Sequence, residues 1–428
     1  MAEEVAKRRN VLREGLRALK GKINEEHGRT IGNAIHLRPE DIPRISTGSL
    51  SLDFATGGGI CIGRTSIFQG GESSGKTTTA IRVAGNAQNL CANCFRHVDD
   101  IEVEYVEDGE TGEVEYYAVG RCDCFNEGLL DPVMFPGENK LDFNARLKAY
   151  KENSYEEFRV AFFDIEGTFD SGWARGLGLD PRRVLVVSPA SAEEAADIYD
   201  DMLRTGAVNM YILDSIAAMT PSKEIEASTV DWQQGLHARI MNKFIRKVNA
   251  ANLDVLRAYG HAPTHIWINQ EREKIGVMFG SNKTAPGGNG QKFAPVLTLE
   301  MWSSKWGKDK FDSDLKAEWQ MDMSREVRLN FRTKKNKTFT AKISGGYVMC
   351  IAGPRAGQIE DTKYVLAQAE KYGLLKEGVN EKKKKTWILG GKVFDKKASM
   401  LATFEMPETQ RSLRAVLLKK MFESVGEK

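Results

Sequence analysis

Apolar positions along this chain fall into two alternating rhythms. Short, nearly continuous apolar runs occupy residues 64–68, 160–166, 183–188, 210–215 and 265–270. Runs of that length, rich in Val, Ile and Phe, predict buried strands. Helical spacing of apolar residues is found over 78–89, 192–204 and 236–256. Strands alternating with helices predict an α/β fold with a mostly parallel sheet, and such sheets take ligands at the carboxyl ends of their strands. Further strands are expected at 296–301, 326–331 and 339–343.

The flanks read differently. In residues 3–27, Val5, Leu12, Leu16, Leu19 and Ile23 draw one apolar stripe, which predicts a helix. Its glycines, Gly15 and Gly21, weaken it by roughly 1 kcal/mol each, so it needs a docking surface. Both its own domain and a neighbouring subunit fit that need. Residues 1–45 are therefore taken as this helix and a linker, and 46–354 as the core. Residues 91–158 interrupt the core at a length that suggests an inserted module. From 355 to 428 the pattern changes to helices, a lysine run at 382–385 and an amphipathic helix at 412–422, read as a small α+β C-terminal domain.

Composition adds few constraints. The chain has 428 residues, 41% hydrophobic and 28% charged, with a net charge of +2, which by itself gives no reason to expect nucleic acid. No apolar run approaches the roughly 18 residues of a membrane span. The N-terminus carries charges where a signal peptide needs an apolar core, so a cytoplasmic protein is expected and no membrane partner.

The chemistry starts at residues 70–78, Gly-Gly-Glu-Ser-Ser-Gly-Lys-Thr-Thr, between an expected strand and an expected helix. Gly70, Gly75, Lys76 and Thr77 stand at the spacing of a phosphate loop. Glycines let backbone N–H groups wrap a phosphate chain, and the helix from Lys76 adds its positive end. Gly71, Glu72, Ser73, Ser74 and Thr78 complete the nucleotide-binding stretch. Lys76 is expected on the β- and γ-phosphates and Thr77 on Mg²⁺, so ATP and Mg²⁺ are the expected cofactors. Asp214 closes an apolar strand, where a second Mg²⁺-side carboxylate belongs. Glu166, at another strand end, suits a base for the attacking water, the alternative being a surface Glu on a turn.

Four of the six cysteines cluster as Cys91-x-x-Cys94 and Cys122-x-Cys124. Two close thiol pairs in a reducing compartment suggest a structural Zn²⁺ site that folds the insert, or else redox-active thiols. His97 offers a substitute ligand, and Cys61 and Cys350 read as core residues.

Residues 46–53 (Ser-Thr-Gly-Ser-Leu-Ser-Leu-Asp), the loop at 70–78, residues 213–221 (Leu-Asp-Ser-Ile-Ala-Ala-Met-Thr-Pro) and residues 268–280 (Ile-Asn-Gln-Glu-Arg-Glu-Lys-Ile-Gly-Val-Met-Phe-Gly) together resemble the bacterial RecA recombinase family. The likeness spans the N-terminal helix, the core to about residue 346 apart from the insert, and more faintly the C-terminal domain. It implies a RecA-type phosphate-loop ATPase core and a helical filament on single-stranded DNA. That filament would pair its strand with homologous double-stranded DNA and exchange strands with DNA-dependent ATP hydrolysis. By the match, Glu166 activates water, Gln270 senses the γ-phosphate, and Asp170 and Trp173 contact adenine. Lys335 and Lys337 would reach the neighbouring subunit's γ-phosphate, which makes hydrolysis depend on assembly. The N-terminal helix then tips toward subunit docking.

The resemblance also implies two DNA loops, at 224–234 and 271–291. Arg239, Arg246, Arg272 and Lys274 align near the phosphate backbone, and Gly287, Gly288 and Asn289 with a backbone-amide contact. Ile275 aligns with a wedge between base triplets, with Gly276, Met278 and Phe279 in the same loop. Such contacts give affinity without base readout. Several departures stand out: Gly71 replaces the usual Pro, Trp173 the usual Tyr, and the first loop diverges around Trp232. The insert has no counterpart in the common bacterial proteins. Residues 418–428 lack their frequent acidic tail, which suggests less restrained duplex binding and fits a divergent, phage-encoded member. Two other readings stay open: a ring-forming DNA helicase or motor, and a non-catalytic recombination mediator.

Overall fold

The computed structural model describes residues 42–92, 95, 157–228, 235–259, 261–273, 283–284, 286–288, 290–305, 325–340, 342–379, 385–404 and 407–426, with strands at 102–107 and 114–119. The expected N-terminal helix lies outside the described residues.

In chain order the elements that position the site begin with α1 (Leu50–Thr56), β1 (Thr65–Gly70) and α2 (Lys76–Ala87). They continue with β2 (Val160–Asp164), α3 (Ser171–Gly176), β3 (Val184–Val187), α4 (Ala192–Thr205), β4 (Met210–Asp214), α5 (Leu236–Tyr259) and β5 (Thr264–Gln270). Then come β6 (Leu297–Lys305), β7 (Arg325–Asn336), β8 (Ser344–Ala352) and β9 (Ile359–Glu360). The C-terminal part holds α6 (Thr362–Lys371), β10 (Leu375–Val379), β11 (Lys385–Leu389), β12 (Lys392–Phe394), α7 (Lys397–Phe404) and α8 (Pro407–Gly426).

The strands β1 to β9 form one nine-stranded sheet in the order β9-β8-β7-β6-β1-β5-β4-β2-β3. From β6 to β3 every pairing is parallel, and β6 to β9 pair antiparallel. Parallel strands covered on both faces need apolar residues at every position, which explains the continuous runs in the sequence. Alternate side chains divide between two cores. Phe68, Phe162, Ile212 and Ile268 meet α2 through Ala80, Val83, Ala84 and Ala87. Ile67, Phe163, Leu213 and Trp267 meet α4 and α5 through Tyr199, Leu203, Phe244 and Val248.

Two strand expectations needed correction. The run at 183–188 was expected buried, yet β3 is an edge strand with Leu185 52% and Val186 45% exposed. Phe339, Thr340, Lys342 and Ile343 form no strand: they belong to the turn between β7 and β8, and Lys342 takes a φ of 66°. The strand begins later, at Ser344, and runs through Gly345 and Gly346. Gly345 is required by packing, because a Cβ there would lie 2.6 Å from Phe331 Cζ.

A third core holds the C-terminal elements together through Val365, Leu375, Leu389, Met400, Leu413 and Leu417, with Leu50 of α1 inserted among them. Asp361 ties this part to the core: it accepts the Leu50 N–H at 2.9 Å and forms a two-pronged ion pair with Arg414. Among the described residues no helix is long and apolar enough to cross a membrane.

Candidate functional site

The carboxyl ends of β1, β5, β4 and β2 stand side by side, with Gly70 paired to Gln270 and Asp164 to Asp214. The loop 71–75 leaves β1 at this edge, and α2 begins at Lys76. Packing demands glycine at two of its positions. A Cβ on Gly70 would meet the Met301 carbonyl oxygen, and one on Gly75, whose φ is +81°, would lie 2.7 Å from Leu329. Gly71 has no neighbour within 4 Å of such a Cβ, so the departure noted there meets no steric objection. Glu72 and Ser73 are exposed, Thr78 is half-buried and Ser74 is buried.

Lys76 Nζ donates to the Gly71 carbonyl at 2.5 Å and to Ser74 Oγ at 3.1 Å. Burial lowers its pKa, while Asp214 and Glu166 act in the opposite sense. Thr77 Oγ1 donates to Asp214 Oδ2 at 2.6 Å, so the two groups expected to hold Mg²⁺ are in direct contact. A hydroxyl and a carboxylate are hard oxygen donors, the kind Mg²⁺ takes alongside phosphates and water. Burial pushes the Asp214 carboxyl up to about 6, with Glu166 and Asp164 adding to the rise. A cation there competes with a proton at pH values below that.

Glu166 is the hub of the site. Its Oε1 accepts from Ser215 Oγ at 2.5 Å and from Gln270 Nε2 at 2.9 Å. It sits just past β2, in a loop shaped by Asp164, whose two oxygens accept the N–H groups of Thr168 and Phe169 at 2.9 and 3.0 Å. One chain of contacts thus runs from Thr77 through Asp214 and its neighbour Ser215 to Glu166 and Gln270. Sequence reasoning missed Ser215 and Asp164. Neither stands in a motif whose chemistry names it, and only the fold brings them to Glu166.

The family described as RecA N-terminal domain matches residues 14–108 and 138–327, more than half of the chain. The chain belongs to the RecA family. A Protein RecA of Cutibacterium acnes is 33% identical over 284 residues, 65% of this chain and 60% of that protein. A Protein RecA of Saccharopolyspora erythraea is 31% identical over 296 residues, 68% of this chain and 64% of that protein. The chain thus spans about 60% of the length of the curated relatives it matches.

The RecA family match leaves out residues 109–137, which lie within the insert expected at 91–158. Cys91 and Cys94 fall inside the matched region, and Cys122 and Cys124 in the gap. Cys91 is buried just after α2, while Cys94, His97, Cys122 and Cys124 lie outside the described residues. Among the described residues no group of three or more His, Cys, Asp or Glu is placed to hold a metal.

The other expected RecA-family residues are spread around the core. Asp170 caps α3, its Oδ1 accepting from Gly172 and Trp173 N–H at 2.7 and 3.0 Å, and Trp173 is half-buried against the core below. Lys335 Nζ donates to the Lys292 carbonyl at 2.7 Å, and Lys337 Nζ to the Phe293 carbonyl at 3.2 Å. Lys335 pairs with Thr298, which in turn pairs with Ile67 of β1. That register places Lys335 about 10 Å back along the strand direction from Gly70, away from its own phosphate loop.

Of the residues expected at DNA, Arg239 and Arg246 are exposed on α5. Arg272 pairs through its backbone with Thr284, forming a short ribbon at the base of the second loop. At the far end of that loop, Asn269 Nδ2 donates to the Pro286 carbonyl at 2.9 Å and to Gln291 Oε1 at 2.6 Å. Gly287 and Gly288 have φ of 102° and 76° and pack against Ile216 and Ala238, leaving no room for a Cβ without adjustment. Lys274, Ile275, Gly276, Met278, Phe279 and Asn289 lie outside the described residues. Glu271 was missed too: Lys334 donates to it at 2.6 Å and lies 3.2 Å from Glu300.

Proposed function

We propose that this chain is an ATP-dependent homologous recombinase that forms a helical filament on single-stranded DNA and exchanges strands with homologous double-stranded DNA. The observation that carries the reading is the hydrogen bond from Gln270 to Glu166, because β5 continues from Gln270 directly into the second DNA loop. A γ-phosphate that draws Gln270 away from Glu166 moves the start of that loop, and DNA on the loop acts back on Glu166.

In this reading the loop N–H groups and Lys76 bind the triphosphate, and Thr77 with Asp214 hold the Mg²⁺ that neutralises its charge. Glu166, positioned by Ser215 and Gln270, orients the attacking water and takes its proton. Lys335 and Lys337 act on the site of the next subunit. Both stand beside the start of β6, away from the phosphate loop of their own chain, and head-to-tail stacking of copies is the arrangement that brings them to the loop of the next. The strand β3, at the edge of the sheet among the described residues and exposed at Leu185 and Val186, supports such stacking, since a free edge is a template for another chain. Arg239, Arg246, Arg272 and Lys274 supply phosphate contacts, and the site of action is cytoplasmic.

The test is strand exchange between a circular single strand and a homologous linear duplex, with ATP and Mg²⁺. Joint molecules are expected with homologous duplex and not with heterologous duplex. Their absence, with closed rings seen by electron microscopy, contradicts the reading and favours a ring motor.

A structural zinc on Cys91, Cys94, Cys122 and Cys124 belongs to the same reading. It is supported by the hairpin at 102–119, in which Glu102 pairs with Val119, so the chain enters and leaves the hairpin at one end. Purified protein is expected to carry about one equivalent of zinc. Less than about half an equivalent contradicts the site.

A further inference from the structure

Three lysines at the end of β7 hold both ends of the stretch 271–291, the second DNA loop of the proposed reading. At its start, the Glu271 N–H donates to the Gly70 carbonyl at 3.0 Å, and the Glu271 carboxylate accepts from Lys334 Nζ at 2.6 Å. At its end, the short helix Gly290–Phe293 offers the Lys292 carbonyl to Lys335 Nζ at 2.7 Å and the Phe293 carbonyl to Lys337 Nζ at 3.2 Å. Lys334 and Lys335 belong to β7, and Lys337 follows its last residue.

A bulge directs Lys334 to its partner. Lys335 pairs with Thr298 and Thr333 with Leu299, so Lys334 is an extra residue of β7 with no partner on β6. Bulges re-aim the side chains they carry. Here the bulge gives the strand one lysine for the start of the loop beside those for its end.

The contact can also open without stranding the cation. Lys334 Nζ lies 3.2 Å from Glu300 of β6, and the side chains of Glu271 and Glu300 are only 6% and 10% exposed. Two buried carboxylates hold one cation firmly, because its loss would leave like charges desolvated. When Glu271 moves off with the loop, Lys334 keeps Glu300. The cation thus has a partner in either position of the loop, as a two-state element needs.

We propose that Lys334 is a positioning residue that couples the second DNA loop to the triphosphate of the neighbouring subunit, by fastening Glu271 to the strand that carries Lys335. This rests on the reading of Lys335 and Lys337 as acting in trans. A neighbouring γ-phosphate draws both lysines off the Lys292 and Phe293 carbonyls. The same movement shifts the bulge, and with it Glu271 at the other end of the loop. DNA affinity then follows the neighbour's nucleotide as well as the subunit's own, which acts through Gln270.

The test is the affinity of the full chain for a fluorescent single-stranded oligonucleotide, with a non-hydrolysable ATP analogue and with ADP, each with Mg²⁺. The ratio of the two affinities reads the coupling. Lys334→Met is expected to lower that ratio by about fivefold or more, and Lys334→Arg, which keeps the cation, to retain it. Glu271→Gln gives a second test, since Lys334 still has Glu300 there, and a similar fall is expected. Melting curves establish that the variants are folded. In the Lys335→Ala, Lys337→Ala background, adding Lys334→Met is expected to lower the ratio no further, because the route is already cut. A ratio unchanged in Lys334→Met or Glu271→Gln, even with both affinities lowered, overturns the proposal and marks the pair as merely structural. A further fall in the background lacking Lys335 and Lys337 overturns the route from the neighbouring subunit. Equal affinities with the two nucleotides in the unaltered chain contradict the recombinase reading itself, and this proposal with it.

Discussion

Glu166→Gln is expected to lower ATP turnover by about 10²- to 10⁴-fold while ATP binding is retained. The amide has the shape of the carboxylate and still accepts through its carbonyl oxygen, so Ser215 and Gln270 keep a partner at the position of Oε1. What the amide lacks is the ability to take a proton from water. The phosphate contacts proposed for Lys76 and the loop are not touched by the substitution. Ser215→Ala removes only a neutral donor and is expected to cost far less. Single-turnover hydrolysis, with affinity for a fluorescent ATP analogue measured alongside, separates the two effects. Turnover within about threefold of the unaltered chain would show that Glu166 is not the base.

The double variant Lys335→Ala, Lys337→Ala is expected to lose about 10³- to 10⁵-fold in turnover, the scale of removing a cation supplied in trans. Each subunit should still bind ATP, because both lysines stand away from the phosphate loop of their own chain. Mixing distinguishes action in trans from action in cis. The double variant has an intact Glu166, and Glu166→Gln has intact lysines. In a head-to-tail filament of equal parts, about a quarter of the interfaces join an intact site to intact lysines. Activity is therefore expected to return on mixing two nearly inactive proteins. A mixture as inactive as its components contradicts the assignment of these lysines to the neighbouring site.

The candidate nucleotide site was legible in sequence to the extent that its proposed chemistry needs particular residue types at fixed spacing. Gly70, Gly75, Lys76 and Thr77 are such a set, and Asp214 is marked by the apolar strand it closes. The parallel strands were legible because burial on both faces makes them mostly apolar, with the few polar residues, such as Ser66 and His265, set among apolar ones. Ser215, Asp164 and Asn269 were not, since a hydroxyl, a carboxylate or an amide at a strand end gains its role only from what the fold places beside it. The edge strand β3 shows a different limit. Its apolar run matches that of a buried strand, and only the sheet order shows that Leu185 and Val186 face outward. At β8 the strand expected at 339–343 lies in the turn instead, and the strand that follows runs through Gly345, where the ring of Phe331 requires a glycine. Lys335 and Lys337 are ordinary surface lysines in sequence, and the resemblance alone singled them out.

The central claim is that DNA on the second loop and hydrolysis at Glu166 are coupled through Gln270. The most direct measurement is steady-state ATP hydrolysis with and without single-stranded DNA, with Lys76→Ala as the blank. Strong stimulation by single strands, absent in the Lys76→Ala protein, is the result this account predicts. Hydrolysis at the same rate with and without DNA would contradict it, because it would leave the contact between Gln270 and Glu166 with no signal to carry.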